Sequence, residues 1–148
     1  MALLSSVDIS FITHATEDSE KTCRTVAEAL GIEETFDVSR LEGHFANPIR
    51  LFKVRLLLER ADEFAIMFFA RLSEEERQVL RTSLGEYLDE HGNLYVRVDK
   101  QRLFDKVVQL AESEVVKLKL KAKRRGVHYD TSGTFLKLMR FKDGETVP

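Results

Sequence analysis

From residue 115 the chain alternates without a break. Val116, Leu118, Leu120 and Ala122 fall on one parity, and Lys117, Lys119, Lys121 and Lys123 on the other. Side chains of a strand point to opposite faces with period two, so this stretch predicts a strand with one apolar and one strongly basic face. The apolar set has to meet a core, so the lysines have to face away from it, along roughly 20 Å. Arg124 and Arg125 prolong the basic run. One strand cannot bury itself, and the rest of the chain must supply the sheet and the cover for one of its faces.

Four more strands carry the same period. In residues 6–14, Val7, Ile9 and Phe11 oppose Asp8, Ser10, Ile12 and His14; in 35–41, Phe36 and Val38 alternate with polar residues. In 50–58, Phe52, Val54, Leu56 and Leu58 oppose Leu51, Lys53, Arg55 and Leu57; in 94–98, Leu94, Val96 and Val98 oppose Tyr95 and Arg97. Between the second and third runs lies Glu42-Gly-His-Phe-Ala-Asn-Pro-Ile49. Gly and Asn-Pro mark it as a hairpin loop, longer than a tight turn needs, with His44 and Asn47 as polar contents.

The helical segments have their own punctuation. Thr16 reads as the N-cap of a helix to about Leu30, whose Cys23, Val26, Ala27 and Leu30 share a face, and Gly31 closes it. A wide apolar stripe (Ala61, Phe64, Ala65, Phe68, Leu72) predicts a buried helix over 59–72. Ser73 and Glu76 have the spacing of a capping box, opening a helix over 73–90 that Gly92 ends. Leu103, Phe104, Val107, Val108 and Ala111 predict one short helix more, and 135–141 reads as a strand or a short docking helix.

The order β-α-β-β-α-α-β-α-β gives an α+β fold: a single, mostly antiparallel sheet with helices packed on one face, related to the ferredoxin-like pattern. Residues 1–125 form this domain, and 126–148 a C-terminal extension. At 148 residues one core suffices. A single cysteine, Cys23, excludes a disulfide framework and a cysteine zinc site. Together with the lack of a transmembrane-length apolar run or a basic leader, it places the chain in the cytoplasm. Many charges with only five Asn and Gln residues point to a thermophile.

Net charge is −2, but residues 93–148 carry thirteen basic against seven acidic residues, and residues 1–49 three against nine. The basic side chains concentrate on the face the helices leave open: Lys53, Arg55, Tyr95, Arg97, Lys117, Lys119, Lys121 and Lys123, continued by Arg124 and Arg125. Cations around an aromatic platform suit RNA. The plainer reading is a lysine-rich strand that resists aggregation. His14, Glu17, Glu42 and His44 invite a metal, but their spacing matches no defined metal motif. They read better, with Thr16 and Asn47, as polar loop contacts. No phosphate loop, serine elbow or paired-carboxylate motif is present, so no catalytic residue, metal or cofactor is assigned.

Three stretches together resemble a known family. His14-Ala-Thr-Glu-Asp18 after the first strand, the 42–49 loop, and Leu94-Tyr-Val-Arg-Val-Asp-Lys-Gln101 are similar to motifs of an archaeal predicted RNA-binding family often described as exosome-associated. The resemblance covers about 5–125. It implies a fold similar to that of the ribosomal protein that binds 5S RNA, and an archaeal, cytoplasmic, non-enzymatic role. The sequence departs from the family at Ala46, where Gly is usual, and after Gln101, and 126–148 has no counterpart.

The reading is therefore an RNA-binding protein acting through a basic open sheet face and two His-containing loops, in contact with the exosome or a ribosome-related complex. A first rival has the same face pair with a second copy or a docking partner. A second rival is a metal-dependent hydrolase or nuclease at His14, Glu17 and His44.

Overall fold

The computed structural model describes residues 1–42, 47–124 and 130–148. Its elements follow the chain as β1 (Leu4–His14), α1 (Ser19–Ala29), β2 (Asp37–Glu42), β3 (Pro48–Leu57), α2 (Leu58–Arg71), α3 (Glu74–Thr82), α4 (Leu84–Tyr87), β4 (Asn93–Asp99), β5 (Val115–Ala122) and α5 (Thr131–Leu138). The five strands form one antiparallel sheet in the order β2-β3-β1-β5-β4. The relation to the ferredoxin-like pattern is now specific. The β1-α1-β2-β3-α2 half is complete, and the position beside β1 that a fourth strand would fill is taken by β5, with β4 outside it.

Burial follows the period-two pattern. Val7, Ile9 and Phe11 of β1, Phe52, Val54 and Leu56 of β3, Val96 and Val98 of β4, and Val116, Leu118 and Leu120 of β5 are buried on the helix side. The widened stripe of α2 is explained by depth: Phe64, Ala65, Ile66, Phe68 and Phe69 are all at most 1% exposed. Phe11 stacks on Phe52 with ring centroids 4.8 Å apart and meets Phe36 edge-on at 5.6 Å. Such aromatic pairs add about 0.5–1.5 kcal/mol beyond their burial. Phe135 and Leu138 of α5 enter the same core.

Several local devices fix the elements. Ser73 Oγ accepts the Glu76 amide while Glu76 Oε1 accepts the Ser73 amide, the capping box expected of that spacing. The other oxygen of Glu76 accepts the Leu110 amide at 2.6 Å, tying α3 to the chain entering β5. Gly31, at φ +65°, closes α1: the Ile32 amide reaches Ala27 O and the Gly31 amide Glu28 O. Buried Asp62 on α2 accepts the amides of Leu3 and Leu4 at 2.8 and 2.9 Å, fixing where β1 begins. β3 passes into α2 with no loop, and Leu58 takes a left-handed φ of 50° at the junction.

Three expectations are corrected. The N-cap of α1 is Asp18, whose carboxylate accepts the Lys21 amide, and not Thr16. The helix expected over 73–90 breaks at Ser83 into α3 and α4, and Gly92 instead serves the turn before β4. The helix expected around Leu103–Ala111 is a single 3-10 turn, Arg102–Asp105. Lys106 then enters the left-handed region at φ 59°, where no helix continues, and Leu110 bridges to Val98. β2 is an edge strand whose residues are all exposed, Val38 at 55%.

Candidate nucleic-acid interface

Among the described residues no helix covers the second face of the sheet, and the strand registers arrange its side chains in rows. One row runs Asp37, Lys53, Ser10, Lys117, Arg97 from β2 to β4. The next runs Arg55, Asp8, Lys119, Tyr95, and a third Ser6, Lys121, Asn93. Same-face neighbours along a strand are about 7 Å apart and neighbouring strands about 4.8 Å apart. The structure therefore brings Lys53, Arg55, Tyr95, Arg97, Lys117, Lys119 and Lys121 onto one face, Lys123 and Arg124 following β5. Arg125 and His44 lie outside the described residues.

The charges on this face are unequal. Arg55 grips Asp8 through two bonds, Nε to Oδ1 at 2.6 Å and Nη2 to Oδ2 at 3.1 Å, which hold the guanidinium proton more tightly than usual. Lys53 stands directly across from Asp37. Lys119 stands likewise across from Asp8, and Lys53, Lys117, Lys119, Lys121 and Arg97 make no ion pair among the described residues. Lys119 Nζ lies 5.9 Å from the centroid of the Tyr95 ring, in cation–π range.

Tyr95 is positioned from below. It is 45% exposed, and its hydroxyl donates to Asp89 Oδ2 at 3.1 Å. Asp89 also accepts the Asn93 side-chain amide and the backbone amides of Asn93 and His91, each at 2.9 Å. These bonds, the Asn93 amide foremost, hold the Asp89 carboxyl far below the ordinary carboxylate range. In turn the Asp89 bond pushes the Tyr95 phenol above its usual value. The tight turn before β4 is thus built around one carboxylate that also orients the exposed ring.

At the end of β1 lies a second cluster. His14 Nε2 is 3.7 Å from Glu114 Oε1, and Glu17 Oε1 accepts the His14 amide at 3.1 Å. Lys100 is only 5% exposed, and its ammonium donates to Ile12 O at 2.9 Å and Glu17 Oε1 at 3.1 Å, with Glu114 Oε2 at 3.8 Å. Candidate ligand atoms of His14, Glu17 and Glu114 lie within 4.8 Å of one another. The ammonium of Lys100 already supplies positive charge to both carboxylates. Thr16, Glu42 and Asn47 are exposed, and Glu42 pairs with Pro48 at the mouth of the hairpin. Sequence reasoning missed Lys100 and Glu114. Their partners are 83 and 100 positions away, and the one signal was the place of Lys100 in the Asp99-Lys100-Gln101 motif.

Arg40 and Arg50 face each other across β2 and β3, but on the helix side, beside a cleft of about 400 Å³ with Thr13 and Ser19. They add nothing to the open face.

These features define an open-faced α+β protein: one antiparallel sheet, helices on one side, and a cationic, partly aromatic surface on the other. Residues 6–122 match the family model described as RNA binding, and the chain belongs to that family. It is 33% identical over 126 residues to the "RNA-binding protein PAB1135" of Pyrococcus abyssi, covering 80% of this chain and 81% of that one. It is 26% identical over 108 residues to the uncharacterized protein MJ0213 of Methanocaldococcus jannaschii, covering 69% and 72%. The fold is similar to that of the solved protein AF2318 from Archaeglobus fulgidus, of family DUF54 (TM-score 0.74, 24% identity, 93% of this chain and 97% of that one). It is likewise similar to that of SSO0741 from Sulfolobus solfataricus (TM-score 0.72, 22% identity, 90% and 93%).

Proposed function

We propose that this protein binds RNA without catalysis, through the open sheet face. The observation that carries the reading is the column Lys117, Lys119, Lys121, spaced about 7 Å apart on the side of β5 away from the core, without an ion pair among the described residues and flanked by an oriented Tyr95. Phosphates are the natural counter-charge for such a column, and an exposed, held ring offers a base a stacking surface. Membership in the RNA-binding family and the printed name of the Pyrococcus relative support the same ligand. The His14–Glu17–Glu114 cluster has a structural part in this reading: the buried Lys100 clamps the first turn after β1 to the segment entering β5. His14, Thr16, Glu42, His44 and Asn47 would add polar contacts at that edge, and a cytoplasmic RNA-processing assembly such as the exosome would be the setting.

The test is a salt titration. Lys117→Ala with Lys121→Ala should weaken binding across RNA sequences and flatten the slope of log K against log salt by about 0.7–0.9 per lysine. An unchanged slope removes phosphate recognition by this column. If the parent protein binds no RNA at low salt, and sedimentation shows a dimer that the same variants dissociate, the face is a protein interface.

A further inference from the structure

The cleft beside Arg40 and Arg50 lies on the helix side of the sheet, away from the lysine column, and has a chemistry of its own. The row of side chains after Val38, Phe52 and Phe11 is polar: Arg40 lies directly across from Arg50, and Arg50 across from Thr13. Like charges directly opposite on neighbouring strands weaken a sheet. Neither guanidinium makes an ion pair or a side-chain hydrogen bond among the described residues, whereas Arg55, Arg60 and Arg77 each hold a carboxylate. At the inner end of the row Thr13 Oγ1 and Ser19 Oγ share one hydrogen bond at 2.7 Å. It uses one of their two hydroxyl protons and leaves the other to donate.

These groups border about 400 Å³ of open space, within the range of small-molecule sites, about 300–1,000 Å³. The lining supplied by the segment that enters α1 is acidic. Glu17 is taken by Lys100 and the His14 amide, and Asp18 by the Lys21 amide, so the end of α1 is already capped. Glu20 is left exposed, without a bond among the described residues. A ligand that suits both linings carries one small, doubly charged anion on a neutral polar body. Two guanidinium forks match the oxygens of a phosphate monoester. Glu20 is an acceptor for a sugar hydroxyl or a base amino group. An acidic peptide or a run of phosphodiesters would set its further charges against Glu20 and Asp18.

We infer that this cleft binds a phosphate monoester borne on a neutral polar body, either a free mononucleotide or the phosphorylated end of an RNA. Arg40 and Arg50 hold the phosphate, and the Thr13–Ser19 pair donates its remaining proton to it. The site does not need the lysine column, so it stands or falls apart from RNA binding by the open face.

The experiment titrates the full chain calorimetrically with adenosine 5′-monophosphate, with adenosine and with a tetraglutamate peptide. The monophosphate should bind with a Kd of about 1 mM or tighter, and adenosine at least about tenfold more weakly. Arg40→Gln and Arg50→Gln should each weaken the monophosphate at least about tenfold, while Arg24→Gln, which removes the same charge from the exposed side of α1, should leave it within about twofold. Because the two arginines repel, Arg40→Gln should not lower the melting temperature of the free chain, and saturating monophosphate should raise that of the parent far more than that of the variant. A uridine dodecamer with a 5′-phosphate, a 3′-phosphate or neither then separates the sources. A terminal phosphate that tightens binding at least about threefold, and does so only with Arg40 and Arg50 present, assigns an RNA end; monophosphate binding without that gain assigns a free nucleotide. No binding of the monophosphate by the parent at about 10 mM, tetraglutamate bound as tightly, or affinity unchanged in both arginine variants overturns the inference. None of these results touches the salt slope that tests the lysine column.

Discussion

Of the charged side chains in the cluster at the end of β1, Lys100 is the one whose loss the fold should feel most. Its ammonium is nearly water-free, and it is the only charge within hydrogen-bond reach of Glu17 Oε1 among the described residues. Lys100→Met keeps most of the side-chain volume and removes the charge. A fully buried pair broken on one side costs about 3–5 kcal/mol, because the remaining ion is left uncompensated. Here Glu17 keeps 26% exposure of its side chain and can recruit water, which lowers the figure. The Ile12 carbonyl loses a charged donor as well, worth about 1.5–3 kcal/mol. We expect a loss of about 2–4 kcal/mol by urea denaturation, or about 5–12 °C in Tm for a chain of this size. Glu17→Gln alone should cost less, and the double variant less than the sum of the singles, with a coupling of about 1 kcal/mol or more. Lys117→Ala, on the exposed face, should stay within about 0.5 kcal/mol of the parent. A Lys100→Met protein within about 1 kcal/mol of the parent, or a cycle with no coupling, would refute the clamp.

The other expectations are shorter. Tyr95→Ala should lose about 1–3 kcal/mol of RNA binding with an unchanged salt slope, because a stacked ring displaces no counterion; a change in slope would contradict stacking. Asp89→Asn should lower the Tyr95 phenol pKa towards the ordinary value of 10.0, read by ultraviolet titration. Asp89 has a depressed pKa in the fold, so its stabilisation is complete above the unfolded value of 3.8 and fades as pH falls below it. The stability gap between parent and Asp89→Asn should therefore be flat from neutrality to about pH 4 and narrow below, and a gap that widens with acid would reverse the sign. Ser73→Ala should cost about 0.5–2 kcal/mol through the lost cap, measured by thermal melting.

How much of this was legible in the chain depends on the range of the interaction. Val116 to Lys123 declared both faces of β5 because period two is local. Ser73 and Glu76 declared their cap for the same reason, three residues apart. The segment after Gln101 misled because Leu103, Phe104, Val107 and Val108 keep a helical spacing that the left-handed Lys106 interrupts, and φ is not written in hydrophobicity. Val38 alternated correctly but belongs to a strand that the helices do not reach. The candidate site was half legible. Its cations could be placed on one face, yet the two-bond hold of Asp8 on Arg55 follows from strand register.

The position of β5 has a consequence for how the molecule is made. It is the last of the described strands in sequence, yet it lies between β1 and β4, separated from β1 by about the whole domain. On a ribosome the hairpin of β2 and β3 and their pairing with β1 can form early. The other edge of β1 stays bare, and β4 has no sheet to join, until residues 115–122 have emerged. Pairings of such long sequence separation slow folding and leave strand edges open to foreign chains in the meantime. The same lysines that face RNA in the finished protein would then guard the nascent one, since a strand with a charge at every second position is a poor partner for aggregation.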